Sequence, residues 1–312
     1  MSQRTNGTIQ KSKASRIIGI QFSIPSPEEI IKGSVAEITS RDTYVNGKPV
    51  VGGVFDPRMG VLDPGMICPT DGLDYMQTPG YFGHLRLARP LFYVQYIGTV
   101  MKILRCVCFK CGKILLSKTR HQHVSDMASE ARWNYVFGLA SKIERCGDDT
   151  NDGCGYKQPK KIKKEGFATL IAEWSTIAGL DDGKSEELTL TLTPEICLKT
   201  LRRISDEDVD FMGFSATWSR PDWMICQVLA VPPPAVRPSV KHDAQQRSED
   251  DLTHIIVNII KTNTALLEKI EAGAPGDVIN NWTTLLQYYV ATLVDNKMPG
   301  VAAFAQRSGR PL

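Results

Sequence analysis

Long apolar runs are missing from this 312-residue sequence. A membrane-spanning helix needs about 20 consecutive apolar residues, whereas the run from Ile255 to Ile260 is among the longest here. The sequence therefore excludes a transmembrane class and predicts no membrane partner. Residues 1–15 are polar and basic, lack the apolar segment of a signal peptide and are expected to form a disordered arm. We expect the protein to stay inside a cell.

A strong net charge and a catalytic constellation are also missing. The formal net charge is only +3, so contacts with nucleic acid would have to come from local basic patches. Paired carboxylates, an activated nucleophile and a phosphate-binding glycine loop do not stand out, which disfavours an independent enzyme. The hydrophobic content of 42% and the chain length predict a globular protein of two or three domains.

Eight cysteines are present, and four of them have the spacing of a structural zinc site. Cys108 and Cys111 are separated by two residues, so one tight turn can present both sulfurs to one ion. Cys146 and Cys154 can supply the other two thiols. Zinc ligation by these four cysteines is the favoured interpretation, and unrelated core cysteines are the alternative. Cys106 is left outside the ligand set.

Local patterns predict several elements in the first half of the chain. Residues 16–22 are rich in β-branched side chains and are expected to be the first ordered element. Ser26-Pro27-Glu28-Glu29 combines an N-cap, a helix-starting proline and a capping-box glutamate, which predicts a helix running into 35–38. Asn46-Gly47 predicts a β-hairpin. Further patterns predict a helix within 125–141 and strands at 167–174 and 188–192.

Two apolar stripes of helical spacing near the end of the chain and one basic run after Cys154 are further features of the sequence. Apolar residues recur at helical spacing over 252–270 and 285–293, and the Ala-Gly-Ala-Pro-Gly segment between them breaks the helix, which predicts an antiparallel helical hairpin. The basic run follows Cys154. Its lysines can contact phosphates or form a solvated face, and the two readings have equal weight for Lys160, Lys161, Lys163 and Lys164.

A series of short motifs resembles one known family, in the family's order. They are Asp56-Pro57-Arg58-Met59-Gly60, Pro79-Gly80-Tyr81-Phe82-Gly83-His84, Leu87-Ala88-Arg89-Pro90, Cys106-Val107-Cys108 to Cys111-Gly112-Lys113, Val231 to Pro238, Glu249-Asp250-Asp251-Leu252-Thr253 and Gln306 to Pro311. On these motifs, residues 16–312 resemble the N-terminal clamp of the largest subunit of multisubunit, eukaryotic-type (RNA polymerase II-like) DNA-directed RNA polymerases.

The resemblance implies an α+β fold in which a mixed clamp core holds an inserted zinc-binding clamp head and an antiparallel helical hairpin, the clamp coiled coil. The implied boundaries are 16–95 for the first part of the core, 96–233 for the head, 234–312 for the second part of the core, 239–250 for the lid, 252–296 for the coiled coil and 298–312 for the start of the rudder. Arg307 and Arg310 of the rudder are expected to contact phosphates. A flexible basic tail is the alternative for both.

The resemblance also concerns metal ions. It assigns one zinc site to Cys108, Cys111, Cys146 and Cys154, in agreement with their spacing. The family's first zinc site falls on Cys68, Asp71, Thr78 and Tyr81. Neutral threonine and tyrosine are poor zinc ligands, so we predict that this site is lost, as in a divergent viral or protist relative. The loop is then expected to be held by the packing of aromatic side chains, namely Tyr75, Tyr81 and Phe82.

The function implied by the resemblance is that of the clamp part of a nucleotidyltransferase whose catalytic Mg²⁺ loop is absent from this chain. The implied partners are DNA and the RNA–DNA hybrid, the second-largest and smaller polymerase subunits, and initiation and elongation factors at the coiled coil. The implied location is the nucleus of a cell, or the virion or host cell of a virus. The alternative is a stand-alone, zinc-containing binding module that regulates transcription. Of these two hypotheses, only the polymerase subunit predicts a natural protein that continues past Leu312 or is completed by a second polypeptide.

Overall fold

A computed structural model describes residues 16–175, 187–242, 247–305 and 309–311. The predicted arm at 1–15 and Arg307 lie outside the described residues, as does the middle of the predicted lid. The described helices are α1 (Pro27–Gly33), α2 (Ile97–Leu104), α3 (Ser129–Ala140), α4 (Pro194–Arg202), α5 (Asp206–Phe211), α6 (Asp251–Glu271) and α7 (Gly276–Val294). The described strands are β1 (Ala36–Glu37), β2 (Tyr44–Val45), β3 (Lys48–Pro49), β4 (Gly83–Phe92), β5 (Lys161–Glu165), β6 (Thr169–Ser175), β7 (Glu187–Leu192), β8 (Ile225–Val231), β9 (Val240–Lys241) and β10 (Arg247–Ser248).

The first helix begins as predicted but ends earlier. The backbone N–H of Glu29 donates to Ser26 Oγ over 3.0 Å, and the N–H of Ser26 donates to Glu29 Oε2 over 2.9 Å, which completes the capping box. The prediction that α1 reaches 35–38 is wrong. Ser34 has extended backbone angles and its hydroxyl donates to the carbonyl of Ala36, so the chain leaves the helix in time to form β1.

Residues 16–22 adopt no helix or strand, contrary to the prediction of an ordered element there. Their side chains project into solvent, with Ile18 99% and Phe22 95% exposed. The hairpin prediction is confirmed, because β2 and β3 pair in register across Asn46 and Gly47. Both turn residues have positive φ, at 52° and 74°, as a tight two-residue turn requires.

The central sheet has the order β1-β4-β8 and separates two hydrophobic clusters. β1 runs parallel to β4, and β8 pairs with β4 in the antiparallel sense. Successive side chains of a strand point to opposite faces. Accordingly, Leu91 and Cys226 are buried in one cluster with α6 and α7, whereas Phe92 and Ile225 are buried in the other with α2 to α5.

A second sheet, with the antiparallel order β5-β6-β7, lies against the cluster that contains α2 to α5. The strand predictions for 167–174 and 188–192 are confirmed by β6 and β7, and the helix prediction for 125–141 is confirmed by α3. Strand β5 was not predicted, because its sequence is dominated by lysines that are uncommon in strands. Ile162 is its buried anchor, at 5% exposure.

Helices α6 and α7 pack against each other and form the predicted hairpin, joined by residues 272–275. Two buried side-chain amides attach the hairpin to β4, Asn263 of α6 and Gln287 of α7. Asn263 accepts from the N–H of Ala88 and donates to the carbonyl of Arg86, where the pairing of β4 with β8 shifts register. The fold is of the α+β class. Within the described part of the chain, no helix is long and apolar enough to span a bilayer.

Candidate metal centre

The first thiol pair lies on a tight turn after α2. The N–H of Cys108 donates a hydrogen bond to the carbonyl of Lys113, and the N–H of Gly112 donates one to the carbonyl of Cys108, both over 2.9 Å. Gly112 has a φ of 78°, and a Cβ at this position would lie 2.4 Å from Cβ of Arg203. Glycine is therefore required both for the backbone angle and for the close approach. The turn directs both sulfurs to the same side.

The second thiol pair lies on a loop that closes in a similar way. The N–H of Cys146 donates to the carbonyl of Tyr156 over 3.1 Å, and the N–H of Gly155 donates to the carbonyl of Cys146 over 2.9 Å. Gly155 has a φ of 72°. The closed loop brings Cys154 back beside Cys146 despite their separation in sequence. This loop faces the turn of Cys108.

The four sulfurs converge on one point. Cys108 Sγ lies 3.5 Å from Cys154 Sγ, and Cys111 Sγ lies 3.6 Å from Cys146 Sγ. All four lie within 4.8 Å of one another. A tetrahedron of zinc–sulfur bonds of about 2.3 Å has sulfur–sulfur edges of ~3.8 Å. The spacing and the soft donor set therefore fit one zinc ion, and four thiolates leave no open position for a substrate.

Hydrogen-bond donors surround the thiols. The backbone N–H of Lys110 and the side-chain Nε2 of Gln158 each lie 3.4 Å from Cys108 Sγ. Gln158 is only 6% exposed, and its Oε1 accepts from the N–H of Phe109. Donors of this kind stabilise thiolate charge and orient the ligand. Sequence reasoning missed Gln158, because a single glutamine carries no spacing signal.

The electrostatic environment differs among the thiols. The pKa of Cys154 is lowered to about 7, chiefly by a hydrogen bond from the backbone of Tyr156 and also by the neighbouring thiols, against a smaller opposing effect of desolvation. Burial raises the pKa of Cys146 and of Cys111. Cys154 is exposed, whereas Cys146 is 2% exposed. In the absence of metal, the exposed Cys154 thiol therefore ionises more readily than the thiols of Cys111 and Cys146.

The neighbouring cysteines and histidines lie outside this centre. Cys106 is buried, and its thiol donates to the carbonyl of Lys102 over 3.2 Å. Cys197 and Cys226 are fully buried core residues. The Nδ1 of His121 lies 3.2 Å from the hydroxyl of Tyr135 and makes no contact with the thiols described above.

The residues of the predicted lost site lie together around Asp71. Its Oδ2 accepts hydrogen bonds from Thr78 and Tyr81. The prediction that aromatic packing holds this loop is wrong for two of the three residues, because Tyr75 is 39% and Phe82 is 53% exposed. Tyr81 contributes through its hydroxyl group instead.

The predicted nucleic-acid contacts are spread over two faces. Lys160, Lys161 and Lys164 are exposed at β5, but alternation along the strand places Lys161 on the face opposite to Lys164. The ammonium of Lys163 lies 2.5 Å from Glu173 Oε1 on the neighbouring strand, so part of its charge is neutralised. Arg310 is exposed. Arg307 lies outside the described residues.

The fold and the centre define a class of protein: an α+β chain with a closed four-thiol site of the structural kind. Residues 14–312 match the family model for RNA polymerase Rpb1, domain 1. The chain belongs to this family, the N-terminal part of the largest subunit of RNA polymerase, and the resemblance inferred from the motifs is confirmed.

Two curated archaeal proteins illustrate the relationship. The DNA-directed RNA polymerase subunit Rpo1N of Methanocaldococcus jannaschii is 39% identical over 301 residues, which cover 94% of this chain and 21% of the relative. Rpo1N of Methanothermobacter thermautotrophicus is 37% identical over 300 residues, which cover 95% of this chain and 33% of the relative. The chain thus spans about a fifth to a third of the length of these relatives.

Proposed function

We propose that this chain is the N-terminal clamp part of the largest subunit of a DNA-directed RNA polymerase and acts in DNA-templated transcription. The observation that carries the proposal is the family match over 14–312. In this proposal the chain closes over DNA and the RNA–DNA hybrid together with the second-largest and smaller subunits. Nucleotidyl transfer and its Mg²⁺ belong to the rest of the enzyme.

The path of the chain supports an inserted head within a clamp core. β4 pairs with β8 from Gly83 opposite Val231 to Phe92 opposite Ile225, so the chain returns beside the point at which it left. The intervening segment has its own hydrophobic cluster with α2 to α5 and the second sheet. We keep the bounds that the resemblance implies, with the head at 96–233 and the core at 16–95 and 234–312.

Zinc has a structural role in this proposal. Cys108, Cys111, Cys146 and Cys154 would hold the ion, which would tie the loop of Cys146 to the turn after α2. The other contacts between these two segments are an ion pair of 2.7 Å between Lys113 and Asp152, a hydrogen bond from Ser117 to Asp149, the bonds of Gln158 and a small buried cluster that includes Leu115. Because an exposed ion pair contributes little, whereas metal binding is coupled to local folding, the metal is expected to be a major source of stability at this junction.

The helical hairpin of α6 and α7 is proposed as the clamp coiled coil and as a docking surface for initiation and elongation factors. Leu267 and Leu285 support this assignment, because they remain 44% and 38% exposed on helices whose other large apolar residues, apart from Val294, are buried or half-buried. Exposed apolar side chains on a rigid helical pair are suitable anchors for a partner protein.

The nucleic-acid contacts are proposed for the exposed lysines of β5 and for the lid and rudder. Lys241 of β9 is exposed within the lid, and Arg310 is exposed within the start of the rudder. Each lysine that neutralises a phosphate should contribute about 0.9 to the slope of log affinity against log salt for duplex DNA.

Photo-crosslinking within the assembled polymerase tests the clamp function. A photoreactive amino acid would replace Lys241 or Lys161, and the enzyme would be bound to a labelled DNA–RNA scaffold. Crosslinks to nucleic acid are expected from both positions, and Asn281 on the outer face of α7 provides the control. Absence of a crosslink from both lysine positions would contradict closure over nucleic acid.

Replacement of Lys160, Lys161 and Lys164 by alanine provides a second readout. The salt slope of nucleic-acid binding should fall, whereas the control Lys32→Ala, which removes one exposed charge from α1, should leave it unchanged. An unaltered slope in the triple variant would identify these lysines as a solvated face.

A further inference from the structure

Two turns of this chain share one backbone pattern, although only one presents two thiols. In the turn of Cys68, the N–H of Cys68 donates to the carbonyl of Leu73 over 2.9 Å, and the N–H of Gly72 donates to the carbonyl of Cys68 over 2.8 Å. The turn of Cys108 has the same two bonds at the same spacing. Each turn is closed by an antiparallel bridge, Ile67 with Asp74 and Val107 with Ile114.

The glycines of the two turns also correspond. Gly72 has a φ of 73° and Gly112 has a φ of 78°, both at the fourth residue after the cysteine. The first turn therefore has the backbone of a metal-binding turn. Asp71 occupies the position that Cys111 occupies in the second turn.

The carboxylate of Asp71 collects hydrogen bonds at this position. Its Oδ2 accepts from the hydroxyl of Thr78 over 2.8 Å and from the hydroxyl of Tyr81 over 3.0 Å. Its Oδ1 accepts from the backbone N–H of Leu73 over 2.9 Å. The donors come from both sides of the loop, so the carboxylate joins the turn to the segment that follows it.

This donor set does not fit zinc. Thr78 and Tyr81 point protonated hydroxyls at an anion, whereas a zinc ligand must offer a lone pair. Desolvation and the bond to Asp71 raise the pKa of Tyr81, which keeps the phenol protonated. In the part of the chain that the structure describes, groups of three or more cysteine, histidine or acidic residues suited to a metal occur only at the four-thiol centre.

We infer that the carboxylate of Asp71 replaces a metal ion as the centre of the loop 67–81, so that this loop folds without zinc and the chain binds a single zinc ion at its four thiols. The loop in turn supports the segment 58–60. Thr70 Oγ1 donates to the carbonyl of Arg58 over 2.6 Å, and the N–H of Tyr81 donates to the carbonyl of Met59 over 2.9 Å. The inference does not depend on the proposed function.

Hydrogen exchange with and without a zinc chelator tests the inference on the full chain, because the two turns serve as controls for each other. Native mass spectrometry should first show one zinc ion per chain. Chelation should then abolish protection at Cys108 and Gly112 and leave protection at Cys68 and Gly72 unchanged. Two zinc ions per chain, or loss of protection at both turns on chelation, would overturn the inference.

Substitutions distinguish the contribution of the Asp71 carboxylate from that of other groups in the loop. Asp71→Ala should speed exchange at Cys68, Gly72 and Leu73 by about tenfold or more, because a charge-assisted network is lost. Asp74→Ala, a matched loss of one nearby carboxylate that caps only Met76 and Gln77, should affect those two amides. Tyr81→Phe removes one donor and should give a smaller increase than Asp71→Ala. Unchanged exchange in the Asp71 variant would contradict the inference.

A gain of metal provides the converse test. The side chains of Thr78 and Tyr81 converge on Asp71, so ligands at these positions should converge on one ion. The triple variant Asp71→Cys, Thr78→Cys, Tyr81→His should therefore bind a second zinc ion beside Cys68. A zinc count that stays at one would contradict the metal-site geometry assigned to this turn.

Discussion

Gln287 of α7 provides a quantitative test of how the helical hairpin is attached to the sheet. Its Oε1 accepts from the N–H of Phe92 over 2.8 Å, and its Nε2 donates to the carbonyl of Phe92 over 3.0 Å. Gln287 is 6% exposed and Phe92 is 2% exposed. One amide thus satisfies two buried backbone groups at the end of β4, just before the chain enters the segment with α2 to α5.

Gln287→Met keeps the unbranched shape of the side chain and removes both hydrogen bonds. Each buried backbone group left without a partner costs about 1 to 3 kcal/mol, so the expected loss of local stability is ~3 kcal/mol. At ~1.4 kcal/mol per tenfold change in an equilibrium constant, the slowest amides of α7 should exchange roughly 100-fold faster. Native-state hydrogen exchange, resolved by residue, measures this change directly.

The control is Asn281→Met, which exchanges an amide for methionine at an exposed position of the same helix. It should change the free energy of opening by less than ~0.5 kcal/mol. An effect of Gln287→Met below ~1 kcal/mol, or one equal to that of the control, would refute the view that this amide holds the hairpin to β4.

Three further predictions concern the metal centre and a buried carboxylate. Cys108→Ser with Cys111→Ser should abolish zinc binding and unfold the region around the centre, because metal binding and local folding are coupled; zinc analysis and a melting curve would show this, and unchanged values for both would exclude the site. Gln158→Met should weaken zinc binding by about 10- to 100-fold in a chelator competition, as expected for loss of a group that orients a ligand; an unchanged affinity would contradict its role. The pKa of Asp56 is lowered from 3.8 in the folded protein, because hydrogen bonds from Arg58 and Gly52 outweigh desolvation. The ionised carboxylate therefore stabilises the fold fully above pH 3.8, and this stabilisation is lost as the pH falls through the lower pKa of the folded state. Denaturation at a series of pH values should show this acid loss, and Asp56→Asn should remove it; an identical pH profile in the variant would contradict the assignment.

Signals that act within a few residues were predicted correctly from the sequence. The capping box at Ser26 and the turn at Asn46-Gly47 both form because their hydrogen bonds and backbone angles depend on neighbouring residues alone. The helical hairpin was predicted for a similar reason, since the apolar stripes and the breaker at 272–276 lie in one continuous segment.

Features that depend on distant partners were missed. β5 is a strand because β6 pairs with it and Ile162 is buried, and neither condition can be read from its lysines. The end of α1 is set by the pairing of β1 with β4, which lies almost fifty residues away. Exposure of Ile18 likewise contradicts an expectation based on residue type alone.

At the metal centre, too, local spacing was predicted and contacts with distant residues were missed. The spacing of Cys108 and Cys111 was sufficient to identify one turn, and the four sulfurs do converge. The hydrogen bonds that support them were not visible, because Gln158 is a single polar residue without periodicity. The loop of Asp71 was predicted to be a poor zinc site because Thr78 and Tyr81 are poor ligands, but the hydrogen bonds of their hydroxyl groups to Asp71 were not foreseen.

Purification of the natural protein through an affinity tag, followed by an assay of RNA synthesis, tests the central claim most directly. The account predicts that the sequence of this chain is recovered in a large assembly with other polymerase subunits, and that the assembly incorporates nucleotides in a reaction that depends on a DNA template. Recovery of the chain as a free zinc protein, without polymerase subunits and without template-dependent synthesis, would contradict the account and favour a separate binding module.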